Sequence, residues 1–321
     1  MKPVRCEVRR GGRVESVHAV RAAAWEGGRL RLARGDVREP VYLRSAAKPF
    51  QGCAVLESGA ADAFGLSEPE LAVMCGSHGG ERGQVRAAAS ILRKAGLGPE
   101  ALRCGAHPPS SPGALRALHA ARGEPTALHN NCSGKHAGML AAARHEGAPL
   151  GTYLEPGHPV QRRNLGVVAR FTGIPARRIR LGVDGCSAPT FGVPLAASAR
   201  AIAEFCAEDG AAGRVRGAMM RHPSMVGRPC LGIMSAAPGR LLGKVGAEGV
   251  YVLGVAGSAL GLALKVEDGS FRPLVPVLAA LVGRLGWLRR AEQAALERAS
   301  DPVLRNHAGL VVGELSVDQA F

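Results

Sequence analysis

Ser45 and Lys48 stand three residues apart in Leu43-Arg-Ser-Ala-Ala-Lys-Pro-Phe50, the S-x-x-K spacing of serine acyl-transferases. Serine is a poor nucleophile near neutral pH and needs a neighbouring base. A lysine one helical turn along lies on the same side as the serine. It can take the serine proton once desolvation or a nearby cation has lowered its own pKa. The spacing alone says little. With 17 serines and six lysines in the chain, about 0.3 matches arise by chance, and a motif is a hypothesis until its context is seen. Pro49 constrains the geometry further, because it would remove an early hydrogen bond from a helix capped by Ser45. That favours a tight turn at the serine and a helix starting at Pro49.

Cys132, Lys135 and His136 form a second constellation in Asn130-Asn-Cys-Ser-Gly-Lys-His-Ala-Gly-Met-Leu140. If a helix starts here, spacings of three and four put all three on one face. The helix N-terminus and Lys135 would both favour a Cys132 thiolate. Together with Cys186, which follows a strand-like run, the group suits a metal site with an open position. Ordinary ligand preference selects Cys132, His136 and Cys186, lysine being a rare zinc ligand. Two unconnected cysteines near a polar helix cap explain the spacing equally well. Ser77 sits in a Gly-rich loop that can expose a hydroxyl and backbone N–H groups, or be only a turn. Lys265 reads locally as a strand-end surface lysine. Asp184 can receive an ammonium group or cap the loop before Cys186.

These residues need elements to position them. Val14 to Ala24 and Leu30 to Ala33 read as strands joined at Glu26-Gly-Gly28, and Val41 to Leu43 as a short strand. A helical stretch runs from about Pro49 to Gly59, and Leu71 to Cys75 reads as an apolar strand leading to the Ser77 loop. Gln84 to Ala95 is helical up to Gly96, and the Asn130 segment can continue as a helix to Gly147. Ile179 to Val183 is strand-like and Val193 to Ala207 helical. Strands at Gly249 to Val255 and Gly261 to Val266 precede the turn signal Glu267-Asp-Gly-Ser270, with helices at Val275 to Leu285 and Ala291 to Arg298. Strands cluster at the two ends and helices in the middle. The sequence therefore predicts an α+β fold, one unit over residues 1–321, with the terminal strands sharing a mainly antiparallel sheet.

The net charge of +15 raises a nucleic-acid partner as a question. Only six of the 41 basic residues are lysines, and the arginines are spread from Arg5 to Arg305 without interleaved aromatics. Dispersed, solvated arginine is the simpler reading. No secretory signal is legible at the N-terminus, and no run of about 18 apolar residues predicts a spanning helix. A cytoplasmic location is expected, with the eight cysteines reduced.

Taken together, the motifs resemble the rhizobial-type class 3 L-asparaginases, the asparaginase II family. The resemblance rests on Leu43–Gln51, Cys75-Gly-Ser-His-Gly-Gly-Glu81, His129–Met139, Asp184-Gly-Cys-Ser-Ala-Pro189, Met220-Arg-His-Pro223 and Gly261-Leu-Ala-Leu-Lys265, in order across nearly the whole chain. It implies a fold similar to serine β-lactamases and glutaminases, a homodimer, and hydrolysis of L-asparagine to L-aspartate and ammonia. It implies two Ser-Lys pairs, Ser45 with Lys48 and Ser77 with Lys265. It also implies a zinc site on Cys132, Lys135 and Cys186, with His136 beside it. The lysine must then be neutral to donate its lone pair. On this reading Asp184 holds the substrate α-ammonium, and Arg44 or His136 its α-carboxylate. Two other readings use parts of the pattern: a penicillin-recognising acyl-transferase, and a zinc-containing nucleic-acid binder. The first lacks Lys-Thr-Gly and Ser-Asp-Asn, with Lys244-Val-Gly246 the nearest approach. Neither accounts for the serines, lysines and cysteines together.

Overall fold

The computed structural model describes residues 1–318. Its large sheet is antiparallel and contains strands β1 (Val4–Arg10), β2 (Arg13–Glu26) and β3 (Arg29–Arg34) from the start of the chain. A short β4 (Pro40–Tyr42), with β5 (Arg180–Val183) and β6 (Pro189–Pro194), forms a separate three-stranded sheet. The late strands β7 (Leu241–Gly246), β8 (Val250–Val255), β9 (Leu260–Val266), β10 (Val303–Arg305) and β11 (Val311–Val317) return to the large sheet. Its order is β10-β11-β1-β2-β9-β8-β7, with β3 also paired to β2. The two ends of the chain thus build one sheet around a helical middle, which confirms the predicted α+β class.

The pattern of side chains explains the layers. All six residues of β7 and of β8 are buried, as expected for strands covered on both faces. The helix Leu195–Ala207 lies on one face, close enough to need glycine beneath it. A Cβ at Gly261 would sit 2.2 Å from Ala199 O, and one at Gly254 would sit 2.4 Å from Cys206 Sγ. The helical middle packs around Phe50, Phe171 and Phe205, whose ring centroids lie 5.3 to 5.6 Å apart. With so few aromatics, the rest of the core is Ala, Val and Leu, continuous from the sheet into the helices.

One local reading is corrected. Leu71 to Cys75 lies in the helix Glu68–Met74 and its C-terminal cap. Ser67 and Glu70 make a capping box there, Ser67 N–H donating to Glu70 Oε2 at 2.6 Å, and that start signal overrides a short apolar run. Pro49 falls in the first turn of the helix Lys48–Glu57, and Arg44–Ala47 form a tight 3-10 turn ahead of it. All eight cysteines are free and buried. No helix among the described residues is long and apolar enough to cross a membrane.

Candidate active site

The chain leaves β4 and enters the Ser45 turn against the middle of the small sheet. Leu43 N–H donates to Phe191 O at 2.9 Å, and Arg44 N–H to Thr190 Oγ1 at 3.1 Å. Arg44 has φ +51°, the left-handed region that costs a non-glycine residue roughly 1–2 kcal/mol. This bend delivers Ser45 to a half-buried position where neither its hydroxyl nor its N–H is hydrogen-bonded within the described protein. Strained backbone carrying uncommitted polar groups is a functional-site signature. Lys48, one turn on, is fully buried.

Two other segments meet Lys48, and a third reaches Ser77 beside it. Its Nζ donates to Gly76 O at 2.5 Å and Asn131 O at 3.2 Å, and lies 3.0 Å from Ser77 Oγ. On the opposite side Ser77 Oγ meets Lys244 Nζ at 2.9 Å. The Ser77 loop is clamped in place: Ser77 N–H donates to Val226 O at 2.8 Å, and His78 N–H to Asn131 O at 3.3 Å. Neighbouring backbones pass too close for side chains. A Cβ at Gly227, where φ is +94°, would lie 2.4 Å from Ser77 O, and one at Gly76 2.4 Å from Met225 O. His78 is fully buried, with Nδ1 accepting from Gly80 N–H and Nε2 donating to Ser133 Oγ at 2.8 Å. Burial, aided by the Lys48 charge, pushes its pKa down to about 3, so it stays neutral.

Lys244 was not selected by spacing. It lies on β7, the edge strand of the large sheet, fully buried, and also donates to Val245 O at 2.7 Å. Burial, with the Lys48 charge acting the same way, lowers its pKa to about 8. Two residues on, Gly246 presses against the Ser45 turn, and a Cβ there would lie 2.4 Å from Leu43 O. The expected pairing of Ser77 with Lys265 is therefore corrected. Lys265 is on β9, two strands in from β7, a lateral offset of roughly 10 Å. Its Nζ donates to Val266 O, and its charged surroundings are Glu267, Arg21, Glu248 and Asp268. The sequence signal for Lys244 was Lys244-Val-Gly246 itself, a lysine and a close-packing glycine on a strand.

Cys132, Lys135 and Cys186 do come together. Cys132 caps the helix Ser133–His145, which carries Lys135, while Cys186 comes from the loop between β5 and β6. Lys135 Nζ is 3.0 Å from Cys186 Sγ, and the two thiols are in hydrogen-bond contact. That bond from Cys186, with the Lys48 and Lys135 charges, outweighs burial and favours the thiolate of Cys132. Burial lowers the Lys135 pKa, but Cys132, Cys186 and Asp184 outweigh it and hold the amine protonated. No three His, Cys, Asp or Glu side chains gather into a metal cluster among the described residues. His136 is fully buried and turns its Nδ1 to Tyr153 Oη at 2.7 Å, leaving Nε2 without a partner. A third metal donor beside the two sulfurs would thus be the Lys135 amine.

Arg44 and Asp184 pair with each other, Nε to Oδ1 at 2.7 Å, next to the Ser45 turn. Burial raises the Asp184 pKa, but Lys135 and Arg44 overcome it and hold the carboxyl below the usual range. Beyond Ser77 opens a cavity of about 700 Å³, whose wall includes Glu81, Ser111, Arg116 and Arg228. The constellation is a serine in a strained turn, a second serine gripped by two buried lysines, and a Cys-Lys-Cys group behind. Among family models, the one described as L-asparaginase II matches the chain over residues 6–317. No curated protein matches it.

Proposed function

The chain belongs to the L-asparaginase II family, and we propose that it hydrolyses L-asparagine to L-aspartate and ammonia by a Ser-Lys mechanism with an aspartyl-enzyme intermediate. The observation that carries the mechanism is Ser77 Oγ held at 3.0 Å by Lys48 and 2.9 Å by Lys244, with the uncommitted Ser45 one turn before Lys48 on the chain. Ser45 Oγ adds to the side-chain carboxamide carbon, and its proton passes to Lys48 after that lysine has shed its own. Lys48 Nζ donates to Gly76 O and Asn131 O, and its third contact is Ser77 Oγ at 3.0 Å. Ser77 and Lys244 extend the proton path, and burial lowers the Lys244 pKa to about 8, so it gives up a proton more readily than an exposed lysine. The Ser45 N–H is a donor for the developing oxyanion. Collapse of the adduct expels ammonia, which takes a proton back through the same path. Water then attacks the ester, giving aspartate and restoring Ser45.

Recognition of a zwitterion follows from the Arg44–Asp184 pair, which sets both charges next to the nucleophile. The substrate carboxylate goes to Arg44 and its ammonium to Asp184, exchanging one ion pair for two. His136, turned to Tyr153, is the less direct carboxylate partner. The donor types and proximity of Cys132, Lys135 and Cys186 fit zinc, provided that Lys135 gives up its proton. Bound there, the ion would supply a Lewis acid behind the Arg44–Asp184 pair. Assembly as a homodimer and a cytoplasmic location belong to the same reading, supported by family membership and, for the latter, by the free state of all eight cysteines.

A specific observation favours one variant, in which Ser77 is the nucleophile: Ser77 bears both lysine contacts and lines the cavity. Ammonia release from asparagine and glutamine, with mass spectrometry of quenched enzyme, tests both. The Ser45 mechanism expects Ser45→Ala to abolish turnover and the aspartyl adduct to map to the peptide holding Ser45. An adduct on Ser77 would transfer the nucleophile to that residue. Turnover retained in both Ser45→Ala and Ser77→Ala would end the serine mechanism.

A further inference from the structure

We propose that the cavity beyond Ser77 is a leaving-group subsite, and that the chain also cleaves β-amides of L-aspartate whose amine part carries a carboxylate, β-aspartyl dipeptides being the simplest of them. The proposal rests on the reading of Lys48, Ser77 and Lys244 as the proton path. In that reading the amino-acid end of the substrate is held at Arg44 and Asp184, and the amide nitrogen leaves once it has been protonated. A leaving nitrogen has to lie within hydrogen-bond reach of the group that supplies its proton. The two lysines meet at Ser77 Oγ, 3.0 Å from Lys48 Nζ and 2.9 Å from Lys244 Nζ. Ser77 is half-buried and forms part of the cavity wall. Whatever is bonded to the leaving nitrogen therefore extends past Ser77 into the cavity.

The cavity is far larger than departing ammonia requires. Its volume is about 700 Å³, within the roughly 300–1,000 Å³ of sites that take drug-sized ligands. Its uncommitted charge is positive. Arg116, on the helix Pro112–Ala120, and Arg228 both line it, and neither has a hydrogen-bond or ion-pair partner among the described residues. Glu81, the acidic residue on the same wall, is committed elsewhere: its side chain caps the helix Arg82–Lys94 and accepts from Ser111 Oγ at 3.3 Å. Arg228 leaves the chain close to the reacting centre. It follows Gly227, where a Cβ would lie 2.4 Å from Ser77 O, and Val226 O accepts from Ser77 N–H at 2.8 Å. Two unpaired guanidinium groups around a space that opens at Ser77 suit a carboxylate, which arginine binds through paired N–H donors. The cleavage balances as the asparagine reaction does. Ser45 Oγ bonds to the amide carbon, the C–N bond breaks, and the nitrogen takes a proton from the Lys48–Ser77 path. The free amino acid departs through the cavity, and water then cleaves the ester to aspartate.

The test gives the purified chain L-asparagine, β-L-aspartyl-L-alanine and the C-terminal amide of that dipeptide, and follows release of ammonia, alanine or alaninamide. An exposed charge pair is worth up to about fivefold, so the two arginines should favour the acid dipeptide over its amide by about fivefold or more in kcat/KM. The preference should shrink as salt rises. The double variant Arg116→Gln with Arg228→Gln should bring the two dipeptides level, chiefly through KM, with Tm close to wild type. If asparagine is hydrolysed and neither dipeptide is, the subsite is overturned while the asparagine reading stands. Equal cleavage of acid and amide dipeptides by the wild type, or a preference that survives in the double variant, overturns recognition by the arginines. Cleavage of the acid dipeptide without asparagine hydrolysis upholds the subsite and sinks the asparagine reading. If none of the three is hydrolysed, both fall together.

Discussion

Replacing Lys244 by methionine separates the arrangement in the folded protein from the pairing suggested by sequence. Methionine keeps most of the buried volume but deletes the Nζ contacts to Ser77 Oγ at 2.9 Å and Val245 O at 2.7 Å. Loss of a hydrogen bond involving a charged group costs about 1.5–3 kcal/mol, and loss of a proton-transfer partner typically costs about 100- to 10,000-fold in rate. Lys244→Met should therefore lower kcat for ammonia release by at least about 100-fold. Lys265→Met, whose Nζ serves only Val266 O among the described residues, should stay within a few-fold of wild type. Stability gives an independent readout. In the unfolded chain the lysine holds its proton to pH 10.5, whereas in the folded protein it releases it near 8. Between those values unfolding takes up a proton, so stability rises with pH across the window. The full rise attributable to this group is roughly 3 kcal/mol, and it should vanish in Lys244→Met. Denaturant titrations of wild type and variant at pH 7 and pH 10 measure it. A kcat for Lys244→Met within tenfold of wild type, or a Lys265→Met loss of equal size, refutes the assignment.

Two further perturbations probe the supports of the site. Gly246→Ala puts a methyl 2.4 Å from Leu43 O, so β7 and the Ser45 turn must separate. We expect about 1–3 kcal/mol of destabilisation and a larger loss of kcat than of Tm would suggest. Wild-type activity would show that the contact does not set the nucleophile. Cys186→Ala should lower the zinc content of purified protein in elemental analysis, and unchanged stoichiometry would remove Cys186 from the ligand set.

Much of the fold is local enough to be legible in sequence. The strand-like runs of β2, β3, β8 and β9 and the turn signal Glu26-Gly-Gly28 between the first two point to antiparallel pairing at the ends of the chain. The conflict between Ser45 as a cap and Pro49 behind it already implied a tight turn, and the 3-10 turn at Arg44–Ala47 is how the chain resolves it. Leu71 to Cys75 went the other way, because its capping box lies upstream of the apolar run. Spacings of three and four likewise placed Lys135 and His136 on one helix, but could not say that His136 would turn to Tyr153.

Ser45, Lys48, Ser77, Cys132, Lys135 and Cys186 were chosen by residue type, spacing and family resemblance, and the sequence by itself determined their local turns and helix ends. Which lysine reaches Ser77 is a different kind of question. Lys244 and Lys265 both lie on late strands with apolar neighbours, and within the segments only the glycine two residues after Lys244 sets them apart. Strand order decides. β7 is the edge strand that packs on the Ser45 turn through Gly246, and β9 lies two strands away. Hydrogen-bonded strand order, helix packing and burial, all long-range, put Lys244 in the site and lower its pKa by removing water.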